Sequence, residues 1–202
     1  MTGKTSVAVL LSRRGSNFVA LAEACARGEV PAEIVLVVSN RADAPGLERA
    51  RERGVPLVVI PGKGLAREEH EARIIAALQE ANAEWVCLAG YMRVLTESFV
   101  ARFQWRILNI HPALLPSFPG LEAQHQAWEY GVKVSGCTVH LVDAGCDTGP
   151  IVLQRTVPVL DDDTAESLAS RILELEHLAY PTALRLLLTR QWHVDGRRVV
   201  FA

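Results

Sequence analysis

The first half of the chain alternates short apolar runs with stretches of helical spacing. Residues 6–11, 34–39, 55–60, 85–89 and 106–110 are mostly apolar and carry many β-branched side chains, the signature of short buried strands. Between them, residues 17–26 place Phe18, Leu21, Ala22 and Cys25 at helical spacing. Residues 67–81 do the same with Ile74, Ile75 and Leu78, and residues 47–53 form a shorter helical segment stopped by Gly54. Thr96 is placed to cap a further helix over residues 98–103. Strands without polar alternation, separated by helices, predict a sheet covered on both faces. The expected fold class is therefore α/β: a doubly wound, mostly parallel central sheet with helices on both faces, Rossmann-like in its first half. In such sheets ligands bind beyond the carboxyl ends of the strands, so the turns that follow the strands are the places to search.

The second half has another texture. Residues 111–120 form a proline-rich loop, and residues 122–130 read as a helix closed by Gly131. Residues 134–142 and 151–157 read as two strands joined by a Gly- and Asp-rich loop at 143–150. A long helical pattern covers 164–188, and Pro181 within it predicts a kink or a break. Residues 191–201 contain Asp195-Gly196 and read as a terminal hairpin. No linker separates the halves, so a single domain over 1–202 is expected.

Composition narrows the classes of function. A formal net charge of -2 leaves no basic excess, which sets the chain apart from nucleic-acid binders. Any anionic ligand must be held by a local site. Cys25, Cys87, Cys137 and Cys146 form no C-x-x-C pair and read as reduced thiols. The apolar run that follows residues 1–4 is too short for a secretory signal, and no later run reaches membrane-spanning length. A cytoplasmic protein with neither membrane nor nucleic-acid partner is expected; a homodimer is compatible with the sequence.

Three constellations carry candidate chemistry. Ser12-Arg13-Arg14-Gly15-Ser16-Asn17 links the first strand to the first helix. A glycine turn entering a helix offers free N–H groups and the positive end of the helix dipole, suited to a phosphate monoester, with Ser16 or Asn17 as cap or oxygen ligand. Asn109-Ile110-His111-Pro112 ends the fifth strand. Alternate strand residues share a face, so Asn109 and His111 project together, an amide donor beside an imidazole. Asp147, in the loop 143–150, would raise the pKa of a nearby imidazole. Taken singly, each also fits an ordinary role: a helix cap, a buried strand-end histidine and an Asx turn. His111, His125, His140, Cys137 and Cys146 lie close in sequence but lack metal-binding spacing, so no metal is expected. G-x-S-x-G is absent, which argues against a serine hydrolase.

Order and spacing are more specific than any one signal. The string Asn109-Ile-His-Pro-Ala-Leu-Leu-Pro-Ser-Phe-Pro-Gly120, then Gly136-Cys-Thr-Val-His-Leu-Val142 and Asp147-Thr-Gly-Pro-Ile151, resembles the catalytic core of folate-dependent formyltransferases. The segments 39–43, 46–50 and 89–95 extend the likeness from about residue 6 to residue 181, toward those members that formylate glycinamide ribonucleotide in purine synthesis. The resemblance implies formyl transfer from 10-formyltetrahydrofolate as cosubstrate, with a phosphate-binding half of about 1–105 and a folate-binding half of about 106–202 in the single domain. It implies Asn109, His111 and Asp147 as the catalytic trio, with His111 as imidazolium acid, Asn109 as oxyanion donor and Asp147 holding His111 charged. It implies Gly15, Ser16 and Asn17 at the ribonucleotide phosphate and Glu176 at the ribose hydroxyls. It implies Met92, Arg93, Val94, Leu95, Asp143, Ala144, Gly145 and Cys146 around the pterin, and Arg67 near the benzoyl-glutamate end. A related hydrolase, 10-formyltetrahydrofolate deformylase, carries an N-terminal regulatory domain. Members acting on tRNA carry an RNA-binding domain. This chain starts directly at its first strand and ends at Ala202, so neither is expected. A non-catalytic binding module would have no need of the trio. One departure from the family loop stands out: Arg13 occupies a position usually held by glycine. A positive φ there would be costly, so a shifted loop path is expected; the alternative is that Arg13 or Arg14 adds charge near the phosphate.

Overall fold

The computed structural model describes residues 3–202; the first two residues of the expected domain lie outside the described residues. The chain forms two compact units, one ending at Leu108 and the other spanning Asn109–Ala202.

The first unit contains β1 (Thr5–Leu11), α1 (Ser16–Ala26), β2 (Ala32–Ser39), α2 (Gly46–Glu52), β3 (Leu57–Val59), α3 (Arg67–Glu80), β4 (Trp85–Leu88) and α4 (Glu97–Arg102). Its strands run in the order β3-β2-β1-β4, and every pairing is parallel. Val7, Ala8, Val9, Leu10 and Leu11 are all fully buried. Successive strand residues face opposite sides, so β1 is covered on both faces, as its uninterrupted apolar run requires. Phe18 and Leu21 of α1 and Ile74 and Leu78 of α3 are buried with them.

The direction of the sequence order reverses at β1, which lies between β2 and β4. That is the switch point at which open α/β sheets bind ligands. Ser12, directly after β1, ties the local turns together. Its N–H donates to Gly90 O (3.2 Å). Its hydroxyl donates to Asn40 Oδ1 (2.6 Å) and accepts from Met92 N (2.9 Å). One buried serine thus joins the turns after β1, β2 and β4.

β5 (Ile107–His111) carries the chain from the first unit into the second, which adds α5 (Ala123–Tyr130), β6 (Val134–Leu141), β7 (Ile151–Pro158), α6 (Ala165–Thr189), β8 (Trp192–Asp195) and β9 (Arg198–Phe201). β6 and β7 pair antiparallel, with Val134 opposite Pro158 and Thr138 opposite Gln154. β9 joins β7 in parallel at Ile151↔Arg198, and β8 and β9 form the expected hairpin around Gly196. α6 packs on β6 and β7. It is a single helix running through Pro181, so the sequence-based alternative of a break there is not realised. Proline removes one backbone hydrogen bond, but Tyr180, Ala183, Leu184 and Leu187 around it are buried, and this packing keeps the helix in register. Thr164 and Ser167 close its start as a reciprocal cap.

Thr96 has two tasks in the first unit. Its side chain caps α4 by accepting from Phe99 N (3.3 Å), and its hydroxyl donates to the buried carboxylate of Glu71 on α3. Its backbone N–H donates to the other Glu71 oxygen (3.0 Å). Thr96→Val keeps the shape, removes the cap and takes one donor from a buried carboxylate. The variant should lose about 1–3 kcal/mol of stability in urea titration. An unchanged midpoint would remove Thr96 from this role.

Candidate active site

The end of β5 places Asn109 and His111 on one face, as the strand period requires. Asp147 arrives from the loop between β6 and β7. That loop turns tightly: a Cβ added at Gly149 would lie 1.8 Å from Leu141 O, so only glycine fits. Asp147 itself has a left-handed backbone, φ 55°. Its carboxylate faces several groups of this unit. Oδ2 accepts from Gly120 N (2.8 Å) and lies 3.4 Å from His111 Nδ1. Oδ1 lies 3.5 Å from Asn109 Nδ2 and 3.6 Å from His140 Nε2. Asn109, His111 and Asp147 are therefore brought together.

Hydrogen bonding fixes the side chains. His111 Nε2 donates to Phe118 O (2.8 Å), while Nδ1 faces Asp147. Only the imidazolium can donate from both nitrogens; either neutral tautomer sets a lone pair against an oxygen. Burial opposes that charge and lowers the His111 pKa below its ordinary value. The Asp147 carboxylate and the Phe118 carbonyl push the other way, and His140 adds to the lowering. The His111 side chain is only 4% exposed, and this burial is the largest of these influences. Burial also favours the neutral acid of Asp147. Hydrogen bonding at His140 and from Gly120, with the nearby His111, outweighs it and holds the carboxyl at about 2.

His140 is the member of this site that the sequence reading missed as a contributor. It is buried on β6, with Nδ1 facing Leu141 O at 2.9 Å. Its Nε2 lies 3.1 Å from Asn109 Nδ2 and 3.6 Å from Asp147 Oδ1. The Asn109 NH2 group therefore sits between His140 Nε2 and Asp147 Oδ1, which sets the orientation of its amide. Its hydrogen on the long 3.5 Å contact to Asp147 is the one a stronger acceptor can capture. The available signal was the alternation of Thr138 and His140 as buried polar residues on one face of a strand.

The remaining predicted residues fall in separate places. In the first unit, Gly15 has φ 69° and serves as the N-cap of α1, with Ser16 and Asn17 in the first helical turn. Neither side chain caps the helix, contrary to expectation, because Gly15 takes the cap position in close contact with Gly46; an added Cβ would lie 2.9 Å from Gly46 Cα. Arg13 is not among the described residues with positive φ, so its departure from glycine does not strain the loop; its carbonyl accepts from Gly46 N (3.1 Å). Arg67 opens α3. Met92 and Val94 are exposed after β4 and Leu95 is buried, and the Arg93 guanidinium lies over Gly62. In the second unit, Asp143 accepts from Gly145 N (3.1 Å) and Thr148 Oγ1 (2.7 Å). Ala144, Gly145 and Cys146 are exposed, and the Cys146 thiol lies 3.7 Å from Asp147 Oδ2. Glu176 is buried on α6. Among the described residues, no group of three or more His, Cys, Asp or Glu side chains is arranged to hold a metal ion, and no helix is long and apolar enough to cross a membrane.

The formyl transferase family profile matches residues 5–184. The chain belongs to the formyl transferase family. Among its relatives, a phosphoribosylglycinamide formyltransferase of Haemophilus influenzae is 40% identical over 192 residues, 95% of this chain and 88% of that protein. A trifunctional purine biosynthetic protein of Drosophila melanogaster is 49% identical over 185 residues, 90% of this chain. The chain spans only 14% of the length of that trifunctional relative. Among solved structures, a glycinamide ribonucleotide transformylase of Symbiobacterium toebii superposes with a TM-score of 0.96 at 48% identity, covering 100% of this chain and 95% of that one.

At this candidate site, Asp147→Asn removes the negative charge that raises the His111 pKa. By NMR titration the His111 ring should then titrate lower than in the wild type. A titration point that stays put or rises would dissolve the coupling.

Proposed function

We propose that this chain transfers the formyl group of 10-formyltetrahydrofolate to the primary amine of 5'-phosphoribosylglycinamide, yielding 5'-phosphoribosyl-N-formylglycinamide and tetrahydrofolate. The observation that carries the reading is the convergence of Asn109, His111 and Asp147 at the end of β5. The names of the Haemophilus and Symbiobacterium relatives support the same acceptor. The other activities of the trifunctional relatives are not assigned to this chain.

The residues divide the work as follows. The amine attacks the formyl carbon, and the carbonyl oxygen gains negative charge. Asn109 Nδ2 donates to that oxygen, exchanging its long contact with Asp147 for a stronger acceptor. Negative charge developing beside His111 favours the imidazolium that burial opposes in the unliganded state. The attacking nitrogen gives up a proton to the Asp147–His111 pair, through a water, and N10 of the folate receives one. The carbon–N10 bond then breaks, with its electron pair leaving on tetrahydrofolate. Gly15, Ser16 and Asn17 hold the ribonucleotide phosphate on backbone N–H groups, and Glu176 takes the ribose hydroxyls. In the first unit the exposed apolar Met92 and Val94, with Leu95 and Arg93, serve the pterin, and Arg67 serves the benzoyl-glutamate end; in the second unit Asp143–Cys146 are assigned to the pterin as well. Both units serve one formyltransferase domain acting in the cytoplasm, with small-molecule substrates as its partners.

An absorbance assay of 10-formyltetrahydrofolate consumption tests this directly. Turnover should require 5'-phosphoribosylglycinamide; turnover without it would make the protein a deformylase. His111→Ala and Asp147→Asn should each lower kcat by about 10²–10⁴ with much smaller effects on substrate affinity. A loss confined to KM would remove them from the reacting centre.

A further inference from the structure

His111 depends on an acceptor that is not a side chain. Its Nε2 partner is the carbonyl of Phe118, a residue held in the left-handed region at φ 53°. Non-glycine residues persist there only where their surroundings over-determine them. One constraint comes from the far side of the loop, where Gly120 N donates to Asp147. The other comes from β6 and β7. The buried Thr138 hydroxyl donates to Ala113 O (2.7 Å) and accepts from Leu115 N (3.0 Å). Gln154, opposite Thr138 on β7, donates from Nε2 to Leu115 O (2.9 Å) and to Thr138 Oγ1 (2.9 Å). Both backbone groups of Leu115 are therefore fixed by one two-residue hub. From there the chain turns, with Ser117 N donating to Leu114 O (3.0 Å), and delivers the Phe118 carbonyl to His111.

We propose that Gln154 is a positioning residue for His111: through Thr138 and Leu115 it holds the loop that presents the Phe118 carbonyl to the imidazole. Its role rests on the formyl-transfer reading for its consequence in catalysis, but not for its effect on the ring. The residue is exposed as a whole, and only its amide is engaged, so it contributes to loop geometry without filling the core. Asp147 and His140 are the other titratable groups that act on the His111 ring, and neither touches Gln154.

The test uses the full chain with Gln154→Ala and Gln154→Met, the second keeping length without the amide. Each should lower kcat on the order of tenfold while the KM values of both substrates stay within about twofold, as misplacement of a reacting group does. The His111 ring should also titrate lower by NMR, because the loosened Phe118 carbonyl no longer favours the cation. Thr138→Ser, which keeps the hydroxyl, should retain the wild-type titration point. An unchanged His111 titration in both Gln154 variants overturns the proposal, whatever happens to turnover. A shifted titration in a protein whose wild type transfers no formyl group would uphold the positioning role and reject the function instead.

Discussion

The site is organised around one half-buried carboxylate. Asp147 faces His111 on one oxygen and Asn109 and His140 on the other, and it also anchors Gly120. Without the negative charge of Asp147, Gly120 keeps only a weaker, uncharged acceptor and the His111 ring loses the charge that raises its pKa. Because the folded carboxyl is held at about 2, below the ordinary aspartate value of about 3.9, its contribution to stability is fully present above that value. It is lost as the pH falls toward the folded pKa. The same group that acts on the His111 ring therefore also couples the site to acid stability.

The opposition between burial and charge at His111 suits a reaction in which charge appears only in transit. A ring kept permanently cationic would offer its proton poorly. A ring with no carboxylate beside it would seldom hold one where it is needed. Burial lowers the pKa, while Asp147 and the Phe118 carbonyl raise it. Backbone geometry supplies much of this arrangement. Phe118 and Asp147 both occupy the left-handed region, and both direct an oxygen at the same imidazole.

What could be read in the sequence followed from strong local rules. The uninterrupted apolar runs around Val7–Leu11 and Trp85–Leu88 indicate strands covered on both faces, and they are. Asn109 and His111 share a face because strand side chains alternate, and Pro112 marks where the strand ends. Other features depend on contacts distant in sequence. His140 orients Asn109 across 31 positions, and no spacing rule connects them. The Phe118 acceptor is a main-chain atom, which side-chain patterns do not reveal. Gly15 rather than Ser16 caps α1 because Gly46 approaches it, a packing fact absent from the local sequence. Pro181 stays within a helix for a similar reason: buried neighbours on α6 outweigh a local penalty.

Selective carboxyl labelling of aspartate, followed by 13C NMR titration of Asp147 in the unliganded protein, tests the central claim most directly. The account requires Asp147 to titrate near 2, well below an ordinary aspartate. A titration at the ordinary value would mean that the carboxylate is not held by His140, Gly120 and His111, and the site would need a different organising group.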